Sequence, residues 1–222
     1  MLIESNFYPA PSYALVLGPT RRTKIMIEVE KKFKLNKKQL AKIEKQASFI
    51  SKKTFSDIYF DDENYSLTTH DVWLRKREKL FELKTPLTSF AAGKRVNIYR
   101  EIIVEEKINE VLKLKKYSSN FFLNLRKNGY RSFCKIRTVR KKYGYGDFII
   151  DIDEMDFGYA LCEIEKMVKN RKEISGAARR IVRLGKKLGL EIDWSLRGKV
   201  LEYLWRYDKR HYNKLKENKV IL

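Results

Sequence analysis

The sequence predicts an α+β protein, a sheet of short strands covered by helices. Three observations predict it. Eight short segments alternate apolar and charged residues, and four longer segments carry helical periodicity. From about Met26 onward no Gly/Ser linker divides the chain, and no proline occurs after Pro86.

The strand candidates are Met26 to Phe33, Phe55 to Asp61, Val72 to Arg77, Phe81 to Lys84, Asn97 to Val104, Phe133 to Arg140, Phe148 to Asp153 and Tyr159 to Met167. The helix candidates are Lys37 to Lys52, Glu106 to Lys115, Glu173 to Leu188 and Leu196 to Lys216. Asn36 supplies a capping side chain before the first helix, and Gly189 a stop after the third. Thr85 to Arg95, with Pro86 and Gly93, reads as a loop. Residues 1–25, with three prolines, read as a flexible extension, and residues 26–222 as one domain.

The totals narrow the classes. With 43% hydrophobic and 13% aromatic residues the 222-residue chain can bury a core, which excludes disorder as the default. No apolar run approaches the roughly 20 residues needed to cross a bilayer. Two widely spaced cysteines, Cys134 and Cys162, fit reduced thiols and a cytoplasmic protein better than a disulfide framework. The 49 basic and 28 acidic side chains leave a net charge of +21. A field of that sign concentrates anions such as polyphosphates or nucleic acid.

Residues two apart in a strand share a face. Glu28, Glu30 and Lys32 therefore oppose Ile27, Val29 and Phe33. Trp73, Arg75 and Arg77 form one face of their segment, and Glu82 with Lys84 one face of the next. Lys135 and Arg137 oppose Cys134 and Ile136, which puts the cysteine on the outer, helix-covered side. Asp151 with Asp153, and Glu163 with Glu165, complete the set. A charged strand face ordinarily meets solvent. Here both signs share the same faces, and acidic pairs recur two residues apart, within about 7 Å. Such pairs repel unless a cation lies between them, and a hard divalent cation with oxygen ligands is the natural one. Lysine and arginine are donors suited to phosphate oxygens. If the sheet closes with these faces inward, the lumen is a charged tunnel equipped for metal-assisted phosphoryl transfer.

The run Glu28-Val29-Glu30-Lys31-Lys32-Phe33 is similar to the Glu-x-Glu-x-Lys motif of the CYTH, or triphosphate tunnel metalloenzyme, superfamily. Trp73-Leu74-Arg75-Lys76-Arg77, Phe81-Glu82-Leu83-Lys84, Asp151-Ile152-Asp153, Asp156-Phe157-Gly158-Tyr159-Ala160 and Glu163-Ile164-Glu165 follow in order. The series resembles the thiamine-triphosphatase branch of that superfamily, from about Met26 to Tyr212. The resemblance implies a closed eight-stranded antiparallel barrel and Mg²⁺-dependent hydrolysis of a terminal phosphate, with Mn²⁺ a substitute. It implies Glu28, Glu30, Asp151, Glu163 and Glu165 as metal ligands, with Glu28, Glu30 and Lys84 in the catalytic set. Lys32, Arg75, Arg77, Lys84 and Arg137 are implied triphosphate grips, Lys199 a further one from the C-terminal helix, and Trp73 the aromatic beneath the organic head.

The expected substrate is thereby a small triphosphate, thiamine triphosphate first, handled by a monomer without a membrane partner. Tripolyphosphate, an RNA 5′-triphosphate or cyclisation of ATP stay open, because fold does not fix substrate. Nucleic-acid binding alone is disfavoured, since clustered carboxylates repel phosphates.

Overall fold

The computed structural model describes residues 27–87, 97–193 and 195–221. The expected extension over residues 1–25 lies outside them, as does most of the loop after Pro86. Eight antiparallel strands close into a barrel: β1 (Ile27–Phe33), β2 (Ser48–Asp61), β3 (Trp73–Arg77), β4 (Leu80–Pro86), β5 (Asn97–Ile102), β6 (Arg131–Tyr145), β7 (Phe148–Met155) and β8 (Tyr159–Val168). The order around the barrel is β1-β5-β4-β3-β2-β6-β7-β8. Closure gives every strand a neighbour on both sides over part of its length, while β2 before Asp57 and β6 before Thr138 pair only with each other. Among the described residues six α-helices accompany it: α1 (Lys37–Gln46), α2 (Glu105–Leu112), α3 (Phe121–Lys127), α4 (Ile174–Leu188), α5 (Lys199–Tyr207) and α6 (Lys209–Glu217).

The apolar strand faces pack outward beneath helices. Val29, Phe33, Ile150, Ile152, Cys162 and Ile164 meet Ile181, Leu184 and Leu188 of α4 in one cluster. Leu74, Phe81 and Leu83 meet Ile108 of α2 and Phe121 and Leu125 of α3 in another. The α4 contact needs a glycine: a Cβ on Gly185 would lie 2.7 Å from the Phe33 ring. A third cluster joins Tyr59, Cys134, Ile136, Met155 and Leu161 to Val200 and Leu204 of α5 and Tyr212 and Leu215 of α6. These strand residues share the inward parity of Asp57, Arg140, Asp153 and Glu163, so α5 and α6 cover one end of the lumen with apolar side chains.

Several element boundaries differ from the sequence reading, and β6 runs on to Tyr145 rather than ending at Arg140. The first helix stops at Gln46 rather than Lys52, because Ala47 is already extended and the aromatic and β-branched run to Phe55 pairs with β6 over Ser48↔Gly144 to Phe55↔Thr138. The C-terminal helix is two helices. Asp208 breaks it at φ −140°, ψ 77°, and its side chain accepts the His211 N–H to cap α6. Helix α3 was not anticipated; Asn120 caps it by accepting the Leu123 N–H at 3.0 Å. Among the described residues no helix is long and apolar enough to cross a membrane.

Candidate active site in the barrel lumen

The inward strand faces line a cavity of about 790 Å³. Its walls hold Glu28, Glu30 and Lys32 from β1, Trp73, Arg75 and Arg77 from β3, Glu82 and Lys84 from β4, Glu163 and Glu165 from β8, and Lys199 from the start of α5. Asp151 of β7 is fully buried against the same set through Arg140 and Lys142. Stretches more than a hundred residues apart in sequence thus converge in one enclosure.

Arg137 does not join it. Arg137 and Lys135 are exposed, while Cys134, Ile136 and Thr138 are buried. The expected face of β6 is inverted. The reason is that the end of the lumen facing α5 and α6 is apolar, so the apolar residues there point inward and the charged ones outward. Cys134 accordingly lies on the inner face, whereas Cys162 packs beneath α4 as expected of an outer residue. The inward positions further along β6 are Arg140 and Lys142.

Ion pairs interleave the two signs. Lys84 pairs with Glu28 and lies 3.1 Å from Glu101 and 3.7 Å from Glu30. Lys32 pairs with Glu30 and reaches Glu163 at 3.3 Å. Arg140 forks onto Asp153, donating from Nε at 2.5 Å and from Nη2 at 2.6 Å, and also pairs with Asp151 and Glu163. Lys142 spans Asp151 at 2.9 Å and Glu165 at 3.5 Å.

A second set gathers around Asp57, a fully buried carboxylate on β2 that sequence reasoning did not single out. Arg77 donates to it from Nε at 2.7 Å and Nη2 at 2.9 Å, and Lys199 donates at 2.6 Å. Arg75 lies 3.8 Å away and donates to Glu82 at 2.6 Å. Asp57 therefore aims three of the expected phosphate grips into one region. The only advance signal for it was parity, since Asp57 shares a strand face with Phe55 and Tyr59.

The electrostatics follow from burial. Burial pushes the Glu28 carboxyl well above the usual range; Glu30, Glu101 and Glu165 add to this and Lys84 opposes it. Burial would also raise Asp57, but the Arg77 hydrogen bonds and the Lys199 and Arg75 charges hold it below the usual range. Glu163 behaves likewise, with Lys32 and Arg140 overcoming its burial. Burial lowers the Lys199 ammonium to about 8 against the opposing pull of Asp57.

The donor set suits a hard cation. Glu30 sits directly opposite Glu165, and Asp151 opposite Glu163, in adjacent strands. Like charges so placed repel. Asp151 Oδ1 is buried and accepts no hydrogen bond, although the Lys142 ammonium lies 2.9 Å away. Among the described residues no three acidic, histidine or cysteine side chains stand together as a ready metal cluster, because basic side chains are interleaved among them.

Trp73 lines the same cavity. Its indole N–H donates to Asp71 Oδ1 at 2.9 Å, and the Tyr99 hydroxyl donates to the same oxygen at 2.9 Å. Apolar residues of the C-terminal region, Val200, Leu201, Val220 and Ile221, border the cavity as well.

A closed eight-stranded barrel with acids and bases interleaved in its lumen defines a charged-tunnel protein, and the chain belongs to the CYTH domain family, which matches residues 26–193. More particularly, it is similar to the thiamine-triphosphatase of Homo sapiens, with 30% identity over 210 residues covering 86% of this chain and 90% of that protein. The thiamine-triphosphatase of Macaca fascicularis is 29% identical over the same coverage. Among solved structures, the PH1819 protein of Pyrococcus horikoshii OT3 shares the fold with a TM-score of 0.59 and 22% identity, covering 81% of this chain and 98% of that one. HpAC1 of Hippeastrum, described as having a dominant triphosphatase activity, does so with a TM-score of 0.51 and 14% identity, covering 82% of this chain and 95% of that one.

Proposed function

We propose that the chain hydrolyses thiamine triphosphate to thiamine diphosphate and phosphate inside the barrel, with Mg²⁺ as the metal. The observation that carries this reading is the coexistence, in one cavity of about 790 Å³, of a cationic cage, a carboxylate wall and an aromatic side chain. The similarity to two thiamine-triphosphatases over most of the chain supports the substrate.

Arg75, Arg77, Lys84, Lys32 and Lys199 bind the phosphate oxygens, and the forked arginines fix the chain's orientation. Arg140 and Lys142, rather than Arg137, face the lumen from β6, where they hold Asp151, Asp153 and Glu163 in place. Glu28, Glu30, Asp151, Glu163 and Glu165 would hold the metal, which when bound supplies Lewis-acid neutralisation of the phosphate oxygens. As substrate enters, Lys84 and Lys32 exchange a carboxylate partner for a phosphate oxygen. That exchange keeps each ammonium paired and releases the carboxylates that would hold the metal. The enclosing barrel limits water around the charges, so every interaction with the transferring phosphoryl group is stronger than at a surface. Trp73 stacks against the cationic thiazolium, an attraction worth about 0.5–2 kcal/mol.

Phosphate release from thiamine triphosphate, ATP and tripolyphosphate, with Mg²⁺ and with a chelator, tests this. The expected result is metal-dependent release, with thiamine triphosphate well ahead of the other two. Equal release from all three contradicts the substrate assignment. Release that persists in chelator contradicts the metal assignment.

A further inference from the structure

Helices cover two stretches of the outer barrel wall, α4 over β1, β7 and β8, and α2 with α3 over β3 and β4. Between them the outer face of β2 and β6 is open. Asp57 points into the lumen, so Lys52, Thr54 and Ser56 point outward from β2, as do their partners on β6. Register sets Lys52 opposite Lys141, Ser56 opposite Arg137 and Ile58 opposite Lys135; on its other side Ile58 faces Lys76 of β3. Lys52, Thr54, Lys135 and Arg137 are all exposed. A solvated face ordinarily mixes both signs. Here the outward positions from Lys52 to Ile58 and from Lys135 to Lys141 hold four cations and no acid. The neighbouring acids are Glu44 of α1, 3.4 Å from Lys141, Glu154 of β7, opposite Val139, and Glu78, which accepts the Ser56 N–H at 3.3 Å. Among the described residues Lys52, Lys135 and Arg137 form no ion pair.

We propose that this open face of β2 and β6 binds nucleic acid through its phosphate backbone, without base readout, as an activity separate from the chemistry of the lumen. Like charges directly opposite, as in Lys52 and Lys141, repel, and an anion laid across them relieves the repulsion. Residues two apart on a strand lie about 7 Å from each other, and neighbouring strands about 5 Å, so the cations form a grid rather than a point site. A grid suits a polyanion whose charges repeat. The positions between the cations are Thr54, Ser56, Ile58 and Val139, which offer no ring on which a base could stack. Contacts of this kind position a nucleic acid but carry no sequence information. The carboxylates that would repel phosphate are gathered inside the barrel, on the opposite side of the same strands and their neighbours.

Fluorescence anisotropy with a mixed-sequence RNA strand tests this. The strand carries a 5′-hydroxyl, so it presents no triphosphate to the lumen. The full chain should bind it at about 0.1 M salt, with the logarithm of the binding constant falling linearly against the logarithm of salt concentration. Combining Lys52→Gln, Lys135→Gln and Arg137→Gln should weaken binding at least about tenfold and flatten that slope by about 2, since each contact to a single-strand phosphate contributes about 0.7. Combining Arg179→Gln, Arg183→Gln and Lys186→Gln removes the same charge from exposed positions of α4 and should change affinity by less than about threefold. Melting midpoints show whether each variant is folded. Should the β2–β6 triple variant melt early, its three single substitutions carry the test, each flattening the slope by about 0.7. Absence of wild-type binding at that salt overturns the proposal. So does an equal loss in the two triple variants, which marks net charge alone, or a preference for anionic phospholipid vesicles over RNA.

Discussion

Glu28 and Asp57 carry the sharpest consequences of single-residue change. Glu28 is buried with its carboxyl raised and with Glu30, Glu101 and Glu165 nearby. Glu28→Gln is nearly isosteric but removes a charge from the wall assigned to the metal. Turnover under saturating Mg²⁺ is expected to fall at least about 100-fold, the scale of losing one preorganised electrostatic contact. Near-normal turnover removes Glu28 from the metal set. Asp57→Asn leaves Arg75, Arg77 and Lys199 facing one another without their shared anion. Breaking a buried cluster this way costs about 3–5 kcal/mol of stability, readable as a lowered denaturation midpoint, with KM raised for every triphosphate alike. An unaltered midpoint contradicts the organising role. Lys199 gives a pH signature. Its ammonium, lowered to about 8 by burial, is present below that pH and lost above it. The proposed phosphate grip would therefore be complete at neutral pH, and kcat/KM, which reports the free enzyme, should decline as pH rises through about 8. Bound triphosphate is a further anion beside Lys199, so the decline in kcat should lie at higher pH.

Among the elements, α4 shows how tightly the outer layer constrains the inner one. Gly185 lets the helix approach Phe33, the last residue of β1. Gly185→Ala forces a carbon into that ring and should destabilise the fold by about 1–3 kcal/mol, a fall of several degrees in Tm. Because Phe33 adjoins Lys32, the variant should also raise KM; full wild-type stability and KM together contradict the packing argument. Strand parity made most of the lumen legible in the sequence: Glu28 with Glu30 and Lys32, Arg75 with Arg77, and Asp151 with Asp153 all face inward. Parity failed on β6. Alternation specifies which residues share a face, not which face is inside, and the inner surface there changes from apolar to charged between Thr138 and Arg140. Arg137 was assigned to the lumen because charge was taken to mean inside along the whole strand. Asp57 escaped notice because a lone aspartate gains meaning only when β3 and α5 bring three cations to it. The break at Asp208 was equally hidden, since aspartate serves both as an ordinary helix residue and as a cap.

Across the whole molecule, the net charge of +21 is distributed unevenly. In the lumen, acids and bases are paired, whereas Lys135, Arg137, Lys52 and Lys53 lie exposed on β6 and β2. On the proposed function the exterior field would draw the anionic substrate toward the barrel, and salt would screen it over about 10 Å at 0.1 M. Raising ionic strength should lower kcat/KM mainly through association, with kcat much less affected because the reacting charges are enclosed. Equal salt sensitivity of both parameters contradicts this division. The most direct test of a lumen that holds both metal and triphosphate is a crystal structure of the Glu28-intact enzyme with Mn²⁺ and a non-hydrolysable analogue of thiamine triphosphate. The account predicts anomalous density among Glu28, Glu30, Asp151, Glu163 and Glu165, with phosphates against Arg75, Arg77 and Lys199. Metal and phosphate bound only on the outer surface, with the lumen ion pairs undisturbed, would contradict it.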